Sequence, residues 1–588
     1  MPNQYPYTPD TRRRPDARRR TPTPAGPGRW AVDHARLLGL LAVLLVALFA
    51  EMPWVPRPLR TFLLQGAVVG LFTGIAAAGA AEARPLRAYG RGLNGWIVGL
   101  LAWAVVCALL SAYRAFAVAE GLRLLLGAGV YFAAAYVLTP REVRALPLAL
   151  IGAGALVAAG GLFQFGAGLE TRTNEVTSIF GNHEQLGSFL ALLFVPALAL
   201  ALDTKSASKP LLFAQGAALV LGAALLLCRT RSAWAGAAAG CVLLSLLALR
   251  YAPVKLNRAN KALIIGPALL VLLAFAGLIG VSQLAPLVST RAVTLAKGVE
   301  DTSFADRLHR WRAACRMASE KPITGWGLGA WPVTQGRWTH QGDDVPEVLA
   351  SGTGHSNLAH NFWVQWASET GGLGLALQIA VLAAFMGQLL TALRSCPRED
   401  RPRLMAALAA VTAGAVDMIG APSYTFPGVS SLWWVWLGLG AALSLRDTDA
   451  APRPLSALAP ALVGALAAAL VLGVGDRLRA EGDGVPRGTL TLTAAPPGPV
   501  APGTRVLWTA TYRAPGGSLR ATAPGTVWTT SVGRLDKTSP TFITVNTDPL
   551  RSGWQGNLPP GVPTVTITAH YWDSFSRPYT VSRTVRVK

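Results

Sequence analysis

Thirteen apolar runs, most of them about as long as a bilayer is thick, dominate this chain and constrain what it can fold into. They lie near 37–51, 62–81, 93–111, 122–138, 145–166, 186–202, 210–228, 233–249, 262–281, 373–393, 404–421, 428–445 and 456–475. A helix needs ~20 mostly apolar residues to cross the hydrocarbon core, where every backbone polar group must be paired within the element or its neighbours. The runs therefore predict an all-α polytopic membrane protein of about thirteen transmembrane helices. Composition agrees, since only 14% of residues are charged against about 25% in a soluble domain.

The formal charge of +23 raises the question of nucleic acid, and its distribution answers it. The basic residues sit in short loops, which is a topology signal rather than a nucleic-acid footprint. With the N-terminus inside, the inner loops carry Arg84, Arg87 and Arg91, Arg141 and Arg144, Lys205 and Lys209, Arg250 to Lys261, Arg394 to Arg403, and Arg446 and Arg453. The opposite orientation would invert that bias. An odd number of spans then puts the C-terminus outside. Residues 1–30 are rich in Pro, Arg and Thr and cannot bury a core, so 1–33 reads as a disordered basic cytoplasmic tail. The first apolar run ends in Glu51-Met52-Pro53 without a small-residue cleavage site and reads as a retained span. The five cysteines show neither a disulfide framework nor ligand spacing.

Two regions depart from the span pattern. Residues 282–372 form an outer segment of roughly ninety residues, long enough to suggest function. Its six tryptophans and the helix-compatible stretch 306–320 predict that it is folded. Residues 486–588 alternate or are β-branched over 489–493, 506–512, 541–545, 565–571 and 579–587, with Gly and Pro between. That pattern predicts an extracytoplasmic β-sandwich of immunoglobulin-like type. The membrane domain is then 34–480.

Ionisable groups are expensive in a membrane protein and tend to mark function. On this topology they gather at the outer face. The turn Cys228-Arg229-Thr230-Arg231-Ser232 offers two guanidiniums, which either clamp a phosphate bidentately or snorkel from a helix end. Arg307 and Trp311 share a helix face in the outer segment, followed by Pro322, Gly325, Gly327 and Gly329. Those glycines lack the strand and acidic residue of a dinucleotide fingerprint. His360-Asn361 precedes an apolar helix, and imidazole is the side-chain type suited to proton transfer near neutral pH; the alternative is an ordinary interfacial histidine. Asp417, within the run 404–421, needs a partner there and is either a structural ion-pair member or a site carboxylate. His183 and Glu184 complete the group.

Together these features resemble the O-antigen ligase family. The resemblance rests on Gly181-Asn182 leading into an apolar helix, the turn Thr230-Arg231-Ser232, the helix Arg307 to Trp311 with its ending Pro322 to Gly327, and His360-Asn361 with Gly371 and Gly374. It covers roughly residues 160–440, with Ser232 in place of the usual glycine and His183-Glu184 where small or amide residues are commoner. It implies a bacterial inner-membrane glycosyltransferase that moves a glycan from a polyprenyl-diphosphate carrier, commonly undecaprenyl diphosphate, to an acceptor hydroxyl. The acceptor is a lipid, a glycan or a protein, and neither cofactor nor metal is required. On that reading Arg231 and Arg307, with Arg229, bind the diphosphate, and His360 or Asp417 is the base. Asn361, His183 and Trp311 support them. A transporter or flippase of lipid-linked sugars is the rival, which calls for internal repeats and midplane polar groups.

Overall fold

A computed structural model describes residues 34–251, 302–331, 335, 338, 358–444, 453–454 and 489–587, apart from connecting stretches such as 82–86, 170–174, 202–208, 514–526 and 532–541. The expected tail at 1–33, the runs 262–281 and 456–475, and much of the outer segment lie outside the described residues. The remaining eleven runs all fall on helices: α1 (Ala35–Phe49), α2 (Arg57–Ala81), α3 (Gly92–Leu110), α4 (Arg114–Phe132, continued by a π-helical turn to Val137), α5 (Pro140–Gly166), α6 (His183–Leu200), α7 (Lys209–Leu227), α8 (Arg231–Tyr251), α10 (Phe362–Ser395), α11 (Arg401–Asp417) and α12 (Pro427–Ser444). A further helix, α9 (Thr302–Glu320), lies within the long segment 282–372.

Among the described residues, seven helices are long and apolar enough to cross a membrane: α3 to α8, with α4 counted through its π turn, and α10. Peripheral helices display large apolar side chains such as Leu109, Leu156, Phe163, Leu219 and Leu249 outward. A helical surface of that kind is suited to lipid rather than water. By contrast α6, α11 and α12 are wrapped by the others, and every residue of α12 from Gly428 to Ser444 is buried. The chain is thus a helical membrane protein built around buried central helices.

Two packing devices place the ends of these helices. On α8, Gly236 and Gly240 present bare backbone to α11, and a Cβ on Gly240 would lie 2.9 Å from the carbonyl oxygen of Ala409. Small residues four apart allow this close approach where no hydrophobic driving force exists between helices. The contact brings Asp417, at the end of α11, beside the start of α8, 3.0 Å from a Cβ built on Gly236.

The second device is a break in α10. Gly371 stands at φ 73° and ψ −178°, a conformation open essentially only to glycine, in the midst of a helix. Backbone groups next to the break find partners outside the helix. Ser368 and Glu369 carbonyls accept from the amides of Trp326 (3.0 Å) and Gly327 (2.9 Å), and the amide of Gly372 donates to Pro322 (2.7 Å). The indole of Trp103 donates to the carbonyl of Thr370 at 2.9 Å. The Glu369 carboxylate accepts from the amides of Gly329 (3.0 Å) and Trp331 (3.2 Å). Irregular backbone is tolerated at membrane depth when it is paired in this way. The glycines after α9 therefore serve docking: they seat the chain that follows α9 on α10, where Ala313, Ala314, Met317, Trp331 and Trp338 form a separate small core.

The described residues of 489–587 hold seven strands: β1 (Thr489–Ala495), β2 (Arg505–Arg513), β3 (Val527–Thr530), β4 (Phe542–Asp548), β5 (Arg551–Asn557), β6 (Thr564–Trp572) and β7 (Pro578–Arg586). They form antiparallel sheets of order β1-β2-β5-β4 and β3-β6-β7. Leu492, Val506, Trp508 and Ala510 of one sheet share a core with Val565, Ile567, Ala569 and Val585 of the other. Strands β3 and β5 lie outside the stretches the sequence pattern marked. The segment Arg-Ser-Gly-Trp-Gln-Gly-Asn of β5 neither alternates nor is β-branched, so its strand state depends on its neighbours β2 and β4.

Candidate functional site

Two asparagines start the helices that carry the candidate site. Asn182 caps α6 by accepting from the amides of Glu184 (2.8 Å) and Gln185 (3.4 Å). Asn361 does the same for α10, accepting from Trp363 (3.0 Å) and Val364 (3.2 Å). A side-chain oxygen at this position satisfies orphan helix amides. His183, Glu184 and His360 thereby stand at fixed places on helix starts. The carboxylate of Glu184, in the first turn of α6, also faces the positive end of that helix.

Around this frame the sequence-distant groups converge. Arg307, on α9, donates from Nη2 to Oε1 of Glu184 at 2.5 Å and from Nη1 to the carbonyl of Gly420 at 3.2 Å. The other carboxylate oxygen, Oε2, lies 3.5 Å from Nδ1 of His360. The amide of Phe362, two residues on, donates to Met418 at 2.9 Å, and the Trp363 indole donates to Ala415 at 3.1 Å, fastening the His360 turn to the end of α11. On the remaining side, Thr230 donates to the carbonyl of His183 at 2.8 Å, so the Arg229–Arg231 turn abuts the first turn of α6. Ser232 contacts the neighbourhood of Gly420, since its Cβ lies 2.8 Å from a Cβ built there.

Each residue singled out from the sequence has a place in this arrangement. Arg231 is the first residue of α8 and half-buried. Arg229 precedes it in the turn, with φ 52°, and His360 has φ 54°. With Ser178 these are the non-glycine residues at positive φ among the described residues. Such conformations cost about 1–3 kcal/mol and persist where the surroundings over-determine them, commonly at functional sites. Asp417 is buried at 1% exposure, packed against α8. His183 faces Glu175, with Nδ1 3.1 Å from Oε2. Trp311 sits half-buried one turn beyond Arg307 on α9.

The carboxylate shared by His360 and Arg307 is that of Glu184, which the sequence marks only as a neighbour of His183. A signal for it existed: an acid in the first turn after a capping Asn, opening an apolar helix, needs a cationic partner. Arg123 is a second group that sequence reasoning missed. It is nearly buried on α4, donates to the carbonyl of Thr425 at 3.0 Å and pairs with Glu120.

The opposite end of the helices has a different character. Arg144 binds Asp400 through Nε and Nη2, both at 3.1 Å. Arg401 donates to the carbonyl of Tyr251 at 3.0 Å. Basic groups thus cluster where α8 and α10 end and α11 begins, while the candidate site lies at the other end of the same three helices.

Comparison with known proteins bears on the helices that carry these groups. No curated protein matches the chain. Residues 216–379 match the family model Wzy_C, described as O-antigen ligase. The matched interval contains Arg229, Arg231, Arg307, Trp311, His360 and Asn361, and stops short of Asp417. That match spans the turn, the helix and the His-Asn cap that the structure brings to one end of the bundle, so this part of the chain is similar to the O-antigen ligases.

Proposed function

We propose that the chain is a glycosyltransferase of the bacterial inner membrane that transfers a glycan from a polyprenyl-diphosphate carrier to an acceptor hydroxyl in surface-polysaccharide synthesis. The observation that carries this reading is the convergence of a fixed guanidinium and an imidazole on one end of the membrane domain. Arg307 uses two of its five N–H donors on Glu184 and Gly420, so its remaining donors are held in a set direction. With Arg231 and Arg229 it supplies positive charge for a diphosphate and for the charge that grows as that group leaves. The acceptor oxygen attacks the anomeric carbon, and the carbon–oxygen bond to the carrier breaks. The polyprenyl diphosphate departs with the electron pair, and the hydroxyl proton passes to Nε2 of His360. In this reading Asp417 orients His360 or an arginine, and the arginines do the work a metal does in other phosphate chemistry.

Residues 489–587 support a further part of the proposal, an immunoglobulin-like domain on the outer side. Their sheet order reproduces the four-plus-three arrangement of constant-type immunoglobulin sandwiches, with the first, second, fifth and fourth strands in one sheet.

The test is a transfer assay with purified protein, an undecaprenyl-diphosphate-linked saccharide and a panel of lipid, glycan and peptide acceptors. Replacing His360 with Ala lowers kcat by about two to four orders of magnitude, the usual worth of a general base, with little change in donor KM. Turnover at the parent rate in a folded His360→Ala protein would move the base to Asp417. Absence of transfer by the parent with every acceptor, together with carrier movement across vesicles, would favour the flippase reading.

A further inference from the structure

We infer that Glu184 is a positioning residue for the site: it holds His360 as the Nδ1–H tautomer, leaving Nε2 as the proton acceptor, and it sets the direction of Arg307. The inference rests on the proposed transfer reaction for its chemical purpose, but its geometry stands without it. Each oxygen of the one carboxylate has its own cationic-type partner, Oε1 with Arg307 at 2.5 Å and Oε2 with His360 at 3.5 Å. All three side chains are at most about a quarter exposed, at 15% for Glu184, 22% for His360 and 24% for Arg307.

A carboxylate facing Nδ1 decides which ring nitrogen carries the proton. At 3.5 Å its negative charge attracts an Nδ1–H dipole and repels a lone pair there, so the neutral ring keeps its proton on Nδ1 and offers Nε2 as acceptor. The same carboxylate stabilises the imidazolium once Nε2 has taken the acceptor's proton. Glu184 is itself held: Asn182 caps its amide at 2.8 Å, and the α6 start is tied to the Arg229–Arg231 turn through Thr230. The positive φ of His360 fixes the other partner. Because Arg307 shares the carboxylate, the group that takes the proton and the group that holds the leaving diphosphate are set by one side chain.

Replacement by glutamine separates positioning from bulk. The substitution Glu184→Gln keeps the size of the side chain, but the new amide can donate to Nδ1, which drives the ring proton to Nε2 and removes the base. The experiment is ¹⁵N NMR of the full-length protein labelled at histidine, seven residues in all, in mildly alkaline buffer. The His360 signals are assigned by their loss in His360→Gln. The parent is expected to show Nδ1 protonated and Nε2 bare, with Glu184→Gln showing the reverse. In the transfer assay Glu184→Gln should lower kcat by roughly 10²- to 10⁴-fold, the range seen when a histidine base is held in the wrong tautomer, while melting temperature stays close to the parent's. A parent His360 protonated at Nε2, or one whose tautomer ignores Glu184→Gln, overturns the assignment without any variant having to turn over. If the tautomer follows Glu184 while the parent transfers no glycan, the positioning stands and the transfer reading is what fails.

Discussion

The amide of Gly372 donates to the carbonyl of Pro322 at 2.7 Å, so the chain that follows α9 is hydrogen-bonded into the break of α10. Arg307 lies on α9 and His360 just before α10, and the joint between the two elements therefore fixes their relative placement. A Cβ on Gly371 would run into the carbonyl of Ile323, and the residue's φ of 73° is itself disfavoured for other residues. Gly371→Ala is expected to lose about 1–3 kcal/mol from backbone strain alone, with more from the displaced loop. Thermal unfolding in detergent should show a lower midpoint, and transfer should fall with it. An unchanged midpoint would mean that the docked loop is not held at this joint.

Sidedness gives a second prediction, and the protein carries its own probe. Cys315 on α9 is exposed, whereas the other four cysteines are buried. If the basic end at Arg144, Arg401 and Arg403 faces the cytoplasm, as a Lys/Arg excess directs, α9 lies outside. A membrane-impermeant maleimide should label Cys315 in intact spheroplasts, and Cys315→Ser should abolish the signal. A cysteine introduced at Glu399, half-exposed beside Arg144, should react only after permeabilisation. The reverse pattern inverts the topology.

How much of this could be read from sequence differs by kind of contact. Helix positions were legible because an apolar run has a length that only a span satisfies, and because Asn182 and Asn361 announce where α6 and α10 begin. The candidate groups at Arg229, Arg231, Arg307 and His360 were legible as charges next to apolar runs. Which of them meet was not. Glu184 and Arg307 are 123 positions apart, and their pairing depends on how α9 docks on α10, which depends in turn on a helix break that no periodicity reveals. The approach of α8 to α11 was hidden for a related reason, since Gly236 and Gly240 sit in a run of alanines and glycines where many faces look alike.

The β domain allows a third prediction. The matched family interval ends at 379, and residues 489–587 have their own core around Trp508 and Ile567. Deleting residues 486–588 should leave transfer measurable, within an order of magnitude of the parent, in the same purified assay. Loss of all transfer by a correctly inserted truncated protein would assign the domain a direct part in acceptor or donor binding.

The last prediction separates Arg307 from Arg231 and rests on the number of bonds each must make. Arg307 reaches Glu184 and the carbonyl of Gly420 at once through its two terminal nitrogens, and only a planar fork does this while keeping donors for a ligand. An ammonium at this position can keep one partner and gives up the other. Arg307→Lys is therefore expected to behave almost as badly as Arg307→Ala. Losing one or two charge-assisted hydrogen bonds, about 1.5–3 kcal/mol each, corresponds to donor binding weaker by roughly ten- to a hundred-fold or more. Arg231 starts α8 beside the turn that Thr230 ties to α6, and its charge is the feature the proposal uses. Arg231→Lys should therefore retain more binding than Arg231→Ala. Inorganic pyrophosphate offers a simple readout as a competitive inhibitor: its inhibition constant should rise in both Ala variants and in Arg307→Lys, and much less in Arg231→Lys. Equal recovery at both positions would mean that Arg307 acts as a point charge and that its two-sided anchoring has no part in holding the diphosphate. No change in any variant would remove both arginines from the donor site.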